Sequence, residues 1–155
     1  MQLFGISPND VDDIVVANGV GADLASAINQ ISALAQNKKV VAIGEIGLDY
    51  YWNKENKDLQ KEIFVEQIEL ANRLDLPIVI HTRDAIQDTI DILKEHVRAG
   101  FHARPYLPGV FHCCPLNREL VKEALKLGFY ISFAGPVTFK NSKNADEIVR
   151  NGSNG

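Results

Sequence analysis

Cysteine is almost missing from this chain of 155 residues: Cys113 and Cys114 are the only two, and they are neighbours. Ordinary disulfide geometry does not fit adjacent residues. No disulfide framework can be built from them, and a reducing compartment fits better than a secretory one. Long apolar runs are missing too. None approaches the roughly 20 residues that a membrane-spanning helix requires. The opening Met1-Gln2-Leu3-Phe4 has neither the basic start nor the sustained apolar stretch of a signal peptide. The expectation is a soluble, cytoplasmic protein with no membrane partner. A basic excess is also missing, since 16 Lys and Arg stand against 20 Asp and Glu for a net charge of −4. Global charge therefore gives no support for non-specific nucleic-acid binding, and any nucleic-acid phosphate must be held by local cations or metal ions. No Gly-x-Gly-x-x-Gly follows an apolar run, so the dinucleotide-binding fingerprint is missing. With no internal repeat, low-complexity tract or linker, residues 1–155 read as one domain.

What is present is the composition of a globular protein, 46% hydrophobic and 23% charged. Apolar runs alternate with amphipathic segments. Leu3–Ile6 reads as a short strand, and Leu24, Ile28, Ile31 and Ala35 have helical spacing within a helix from Ala22 to Gln36. Val40–Ile43 is a continuous apolar run, as expected of a strand buried on both faces. Asp58 is placed to cap the next helix, whose buried side carries Leu59, Ile63, Leu70 and Leu74. Then come a strand at Pro77–Ile80, a helix marked by Ile86, Ile90, Leu93 and Val97, and a strand at Gly109–Phe111. A helix at Leu116–Leu127 is stopped by Gly128, a strand follows at Phe129–Phe133, and Ser142–Arg150 opens a last helix before a frayed end at Asn151–Gly155. Strands alternating with helices call for a parallel α/β sheet with helices outside it, either doubly wound or a barrel.

The chemistry-bearing residues fall at strand ends. Glu45 follows the run Val40–Ile43, His81 follows Ile80, and His112 follows Phe111. In parallel β/α architectures the active site forms at the carboxyl ends of the strands. Three successive strands thus aim one carboxylate and two imidazoles into one mouth, a set that suits zinc, manganese or a similar divalent ion. Taken singly, each has a plainer role as a hydrogen-bonded polar residue at a strand end.

The surrounding words are more specific than the spacing. Gly44–Tyr51 reads GEIGLDYY, Pro77–Asp84 reads PIVIHTRD, Gly109–Cys113 reads GVFHC, and Gly128–Asn141 reads GFYISFAGPVTFKN. In this order and at about this spacing the chain resembles the TatD DNase family of metal-dependent hydrolases, over roughly Leu3 to Arg150. The resemblance implies a TIM-type (β/α)₈ barrel and a site for two divalent metals (Mg, Mn or Zn). Glu45 matches the family's bridging glutamate, and His81 and His112 its two later histidines, which complete one metal position. The other position uses a His-x-His pair after the first strand and an Asp after a late strand. Neither occurs in this sequence. A complete barrel takes about 250 residues, so the expectation is a chain cut at both ends, carrying about five of eight β/α units.

The activity implied is cleavage of phosphodiester bonds in DNA by metal-activated water, with Glu45 at the centre. Removal of D-amino acids from transfer RNA is the alternative within the family. A metal-binding fragment or partner-binding module without catalysis is a reading from another class. A small-molecule amidohydrolase is a third. Arg83, two residues past His81, has the planar fork to bind a substrate phosphate; otherwise it pairs with Asp84 or Asp88. Asp49 and Tyr50, read as loop residues after Glu45, give Asp49 the chance to hold a histidine ring by hydrogen bond. Tyr50, Tyr51 and Trp52 form an aromatic cluster that either stacks bases of a single strand or covers the barrel rim. His96, His102, Lys140 and Lys143 read as solvated. Cys113 and Cys114 read as buried thiols, with Cys113 facing away from His112 because neighbours on a strand point to opposite faces. Thiolate ligation by Cys113 is the other reading. An open sheet with two unpaired edges predicts poor solubility as a monomer, or pairing with another copy.

Overall fold

The computed structural model describes residues 2–11, 22–52, 54–97, 108–140, 142 and 145–152. The extension read at Ala99–Leu107, and with it His102, lies outside the described residues, as does Lys143. The order of elements is β1 (Gln2–Phe4), α1 (Ala22–Ala35), β2 (Val40–Asp49), α2 (Lys57–Leu74), β3 (Ile78–Arg83) and α3 (Ile86–His96). It continues with β4 (Gly109–Phe111), α4 (Arg118–Lys126), β5 (Tyr130–Ile131), a 3₁₀ turn at Gly135–Thr138, and α5 (Ala145–Gly152). Among the described residues no helix is long and apolar enough to cross a membrane.

The five strands pair in parallel in the order β1-β2-β3-β4-β5. A doubly wound sheet reverses its strand order partway. This one never does, and strictly sequential parallel order is the arrangement of a TIM-type barrel. The sheet is part of such a barrel. β2 has partners on both sides, and Ile43, Ile46 and Leu48 along it are fully buried. That burial on both faces is why its first half reads as an unbroken apolar run.

The helices bury faces of helical period. On α2 the buried positions are Gln60, Ile63, Phe64, Gln67, Ile68, Leu70 and Ala71. Two of these are glutamines, and each satisfies backbone groups where a strand gives out. Gln67 Oε1 accepts from Ile6 N at 2.5 Å while its Nε2 donates to Ile6 O at 3.0 Å. Gln60 Oε1 accepts from Asp49 N at 2.8 Å while its Nε2 donates to Asp49 O at 3.1 Å. Buried backbone N–H and C=O groups need partners, and at the end of β2 the partner is this amide. Gln60→Leu would strand both Asp49 groups in the interior, where an unsatisfied group costs roughly 1–3 kcal/mol. The expected loss is about 2 kcal/mol, read as a lower midpoint in urea. An unchanged midpoint would show that water replaces the amide at no cost.

Several boundaries differ from those read in the sequence. β2 runs on to Asp49, past the Gly44-Glu45 break in its apolar run, with a register shift between Gly44 and Ile46. β3 runs on past His81 to Arg83, and β5 is only two residues long, not five. β1 is Gln2–Phe4, so Ile6 lies beyond it, and the last helix is Ala145–Gly152. Asp58 does not cap α2: Asn56 stands at that position, and Asp58 sits in the first turn. α4 begins at Arg118, capped by Asn117, whose Oδ1 accepts from Leu120 N at 2.9 Å. Gly128 follows α4 with φ of 86°, the left-handed stop the sequence implied.

Candidate active site

β2, β3 and β4 are adjacent, with Gly47 opposite His81 and Ile80 opposite Phe111. Glu45 and Asp49 lie in the carboxyl-terminal half of β2, His81 and Arg83 in that of β3, and His112 directly after β4, so all five stand toward the carboxyl end of the sheet. Glu45 lies within β2, at its register shift, where the Gly44–Glu45 peptide is cis. Asp49 is the last residue of that strand and is buried, not a loop residue as its position after Glu45 implied.

Two carboxylate–imidazole pairs result. His112 Nδ1 lies 2.8 Å from Glu45 Oε1, both side chains being partly open to solvent. His81 Nε2 lies 2.9 Å from Asp49 Oδ2, whose side chain is 1% exposed. The other Asp49 oxygen, Oδ1, accepts from the backbone N–H of Tyr51 at 3.0 Å and of Trp52 at 3.3 Å. One buried carboxylate therefore orients the His81 ring and shapes the turn after β2.

Among the described residues no group of three His, Cys, Asp or Glu side chains is arranged to hold a metal ion. The predicted trio is divided instead, Glu45 with His112 and His81 with Asp49. The donors still fit a cation chemically. Two atoms ligating one ion at roughly 2.0–2.2 Å stand about 3 to 3.5 Å apart, depending on the coordination angle. The 2.8 Å between Glu45 Oε1 and His112 Nδ1 is the separation of a hydrogen bond, and the pair would open slightly to share a cation. Asp49 takes Nε2 of His81 and leaves Nδ1 to ligate, the carboxylate–histidine arrangement that fixes ring and tautomer at metal sites. One carboxylate and two imidazoles suit a borderline divalent ion.

Neither predicted carboxylate pairs with Arg83. Asp88 is held by the Tyr50 hydroxyl at 2.6 Å and by Lys61 Nζ at 3.2 Å, and Asp84 is exposed. Arg83 instead lies with Cζ 3.7 Å above the Tyr51 ring and 5.5 Å from that of Trp52. The aromatic run splits: Tyr50 is buried against Asp88, while Tyr51 and Trp52 are exposed. Burial, then the hydrogen bond to Asp88, pushes the Tyr50 hydroxyl far above its ordinary range.

Cys113 does not face away from His112. The strand ends at Phe111, and a left-handed turn at Cys113, φ 48°, brings its sulfur 3.4 Å from His112 Nε2. The rule of opposite faces fails because these two residues are no longer on a strand. Cys113 is exposed and Cys114 buried. With Pro115, Leu116, Phe133 and Val137 they line an apolar cleft of about 210 Å³ beside His112. His96 is half-buried, not solvated, with Nδ1 3.1 Å from Glu69 Oε1. Lys140 is exposed, as read. The Gln60 clamp and the Cys113–His112 contact escaped the sequence reading. Gln60 carried a signal, a polar residue in step with Ile63, Phe64 and Gln67 on the buried face of α2.

The two thiols make a simple test. In native protein at pH 8 only Cys113 is expected to react with iodoacetamide, and both after unfolding, counted by mass spectrometry. Two alkylations of the native chain would show that Cys114 is not enclosed. Burial pushes the Cys114 thiol up from 9.0 to about 12. The unfolded chain therefore releases this proton first, and the stability that comes from keeping the thiol neutral, complete below pH 9, is lost as pH climbs through that window.

Residues 1–154 match the family model described as TatD related DNase. Among curated relatives, an uncharacterized metal-dependent hydrolase of Bacillus subtilis, YabD, is 50% identical over 120 residues, covering 77% of this chain and 45% of its own length. YcfH of Escherichia coli K12, another uncharacterized metal-dependent hydrolase, is 41% identical over 123 residues, covering 79% of this chain and 44% of its own length. The chain thus spans under half the length of these relatives. Among solved structures, the TatD homologue YjjV from Escherichia coli superposes with a TM-score of 0.76 at 24% identity, over 95% of this chain and 51% of that one. An uncharacterized amidohydrolase from Saccharomyces cerevisiae superposes with a TM-score of 0.67 at 23% identity, over 83% and 47% respectively. At these identities the two structures speak for the fold.

Proposed function

Because the chain belongs to the family of TatD-related DNases, we propose that it carries part of the active site of a metal-dependent hydrolase that cleaves phosphodiester bonds of DNA. The supporting observation is the Glu45–His112 pair at 2.8 Å at the carboxyl ends of β2 and β4, with the Asp49-held ring of His81 on the strand between them. Glu45, His81 and His112 would hold the divalent ion. When bound, it supplies Lewis-acid polarisation of a phosphoryl oxygen and makes water acidic enough to act as nucleophile near neutral pH. The chain's own contribution is orientation. Asp49 holds the His81 ring by hydrogen bond, Glu45 and His112 stand 2.8 Å apart where they would serve as ligands, and the 3.7 Å stack on Tyr51 holds Arg83 two residues from His81. Arg83 would bind the substrate's phosphate.

The division of the donors into two pairs favours one other reading, a chain that binds a single cation and turns nothing over. The two part in one assay. Nucleotide release from a single-stranded DNA oligomer is measured with Mg²⁺ or Mn²⁺ and again with chelator. Release that stops with chelator supports the hydrolase. Binding of one Mn²⁺ per chain without release supports the second reading. Release of a D-amino acid from transfer RNA in place of nucleotide would move the substrate to an aminoacyl ester.

A further inference from the structure

Three exposed side chains at the carboxyl end of the sheet have no part in holding a cation. Trp52 is 69% exposed and Tyr51 47%, among the most open large apolar side chains described. Their rings meet edge to face, with centroids 4.8 Å apart. The Arg83 guanidinium lies 3.7 Å above the Tyr51 ring. Among the described residues no carboxylate pairs with it.

Each point has a consequence. A guanidinium centred 3.7 Å over a ring gains attraction from that ring without spending its N–H groups, which stay available for the paired oxygens of an anion. Tyr51 spends one face on that stack, and although Trp52 meets Tyr51 at a right angle and has the guanidinium 5.5 Å from its ring, at 69% exposed it leaves most of its indole surface to solvent. The turn that carries both rings is tied by Asp49 Oδ1 to their backbone N–H groups, and Asp49 Oδ2 holds His81. The platform and the His81 ring are thus built on one buried carboxylate. A fork for two anionic oxygens beside an open aromatic face has the chemistry of a nucleotide site: phosphate on the cation, base on the ring.

We propose that Arg83, Tyr51 and Trp52 form a binding platform for single-stranded DNA, Arg83 taking a phosphate and Trp52 stacking an adjacent base. The proposal deepens the reading of the chain as part of a DNA hydrolase and rests on it for the substrate class. With a net charge of −4, the chain offers no wide basic surface, so the contact is local. Binding should weaken with salt at a slope of about −0.7 for each phosphate held on a single strand, close to the value for one.

Trp52 is the only tryptophan in the chain, so tryptophan emission reports this platform alone. The test titrates the full chain, in chelator, with a short oligothymidylate and with an abasic phosphodiester oligomer of equal length. Saturable quenching by the oligothymidylate, little or none by the abasic oligomer, and about tenfold weaker binding in Arg83→Gln are expected. Arg83→Gln should also flatten the salt slope by about 0.7, and far-UV circular dichroism shows whether it is folded. Arg83→Lys keeps the charge but loses the fork, and should fall between the two. No saturable quenching of the folded chain, or equal binding by a folded Arg83→Gln, would overturn the proposal. Because the titration runs without metal, quenching with no metal-dependent release sinks the hydrolase and leaves the platform standing. Release without quenching does the reverse.

Discussion

Gly47→Ala is expected to leave no cooperatively folded protein, or one weakened by more than about 4 kcal/mol, which is exceptional for a single substitution. Gly47 has φ of 137°, a region that L side chains rarely enter, and a Cβ added there would sit 2.0 Å from the carbonyl oxygen of His81. The obstacle is backbone, not a side chain that can swing away. Gly47 and His81 are register partners in the ladder of β2 and β3, so relieving the clash means prying apart the best-paired strands in the sheet. Folded domains hold only about 5–15 kcal/mol in reserve. Gly135→Ala is the control, since a Cβ at that position meets nothing within 4 Å. Urea denaturation followed by Trp52 emission compares the two. A Gly47→Ala midpoint as high as that of Gly135→Ala would mean that the strands separate there far more cheaply than this geometry allows.

Glu45→Gln should do the opposite, sparing the fold and removing the activity. The Glu45 side chain is 36% exposed and its partner His112 46%, so exchanging one carboxylate oxygen for an amide should move stability by no more than about 0.5 kcal/mol. An amide brings no charge to a divalent ion and is a much weaker ligand than a carboxylate. Residues one step removed from a metal already cost 10–100-fold when mutated, so loss of a direct ligand should lower metal-dependent nucleotide release by at least about 100-fold. Release by Glu45→Gln at the wild-type rate, with a normal urea midpoint, would take Glu45 out of the proposed site.

How far the sequence could be read depended on what made each segment regular. Helical period in α2 and the apolar run opening β2 reflect burial, which composes a sequence directly, so alternation and a parallel sheet were legible, while the choice of a barrel over a doubly wound sheet came from the words that resemble the family. The word GEIGLDYY placed Glu45 at the right end of the sheet. Less visible was that β2 continues past Gly44 and Glu45, because a glycine and a carboxylate look like a strand's end while the hydrogen-bond ladder runs on beneath them. Asp49 was weighed as a support for a histidine ring, and it does contact His81; its burial inside a strand end was hidden because Gln60, eleven residues on, satisfies the backbone there. Cys113 was misread for a related reason. A strand of three residues gave alternation too little length to apply, and the left-handed turn had no glycine to announce it.

The unbroken order of the sheet also bears on how the protein is made. Every pairing among the described strands joins two that are consecutive in translation, and β2, β3 and β4 are each hydrogen-bonded to the strand before and the strand after. Among the described strands no pairing skips a strand, so each β/α unit packs on the edge of the one before it. Each pairing still has to close a loop of one β/α unit, Gln2 to Val40 and Ile43 to Ile78 among them, so the strands pair more slowly than the helices form.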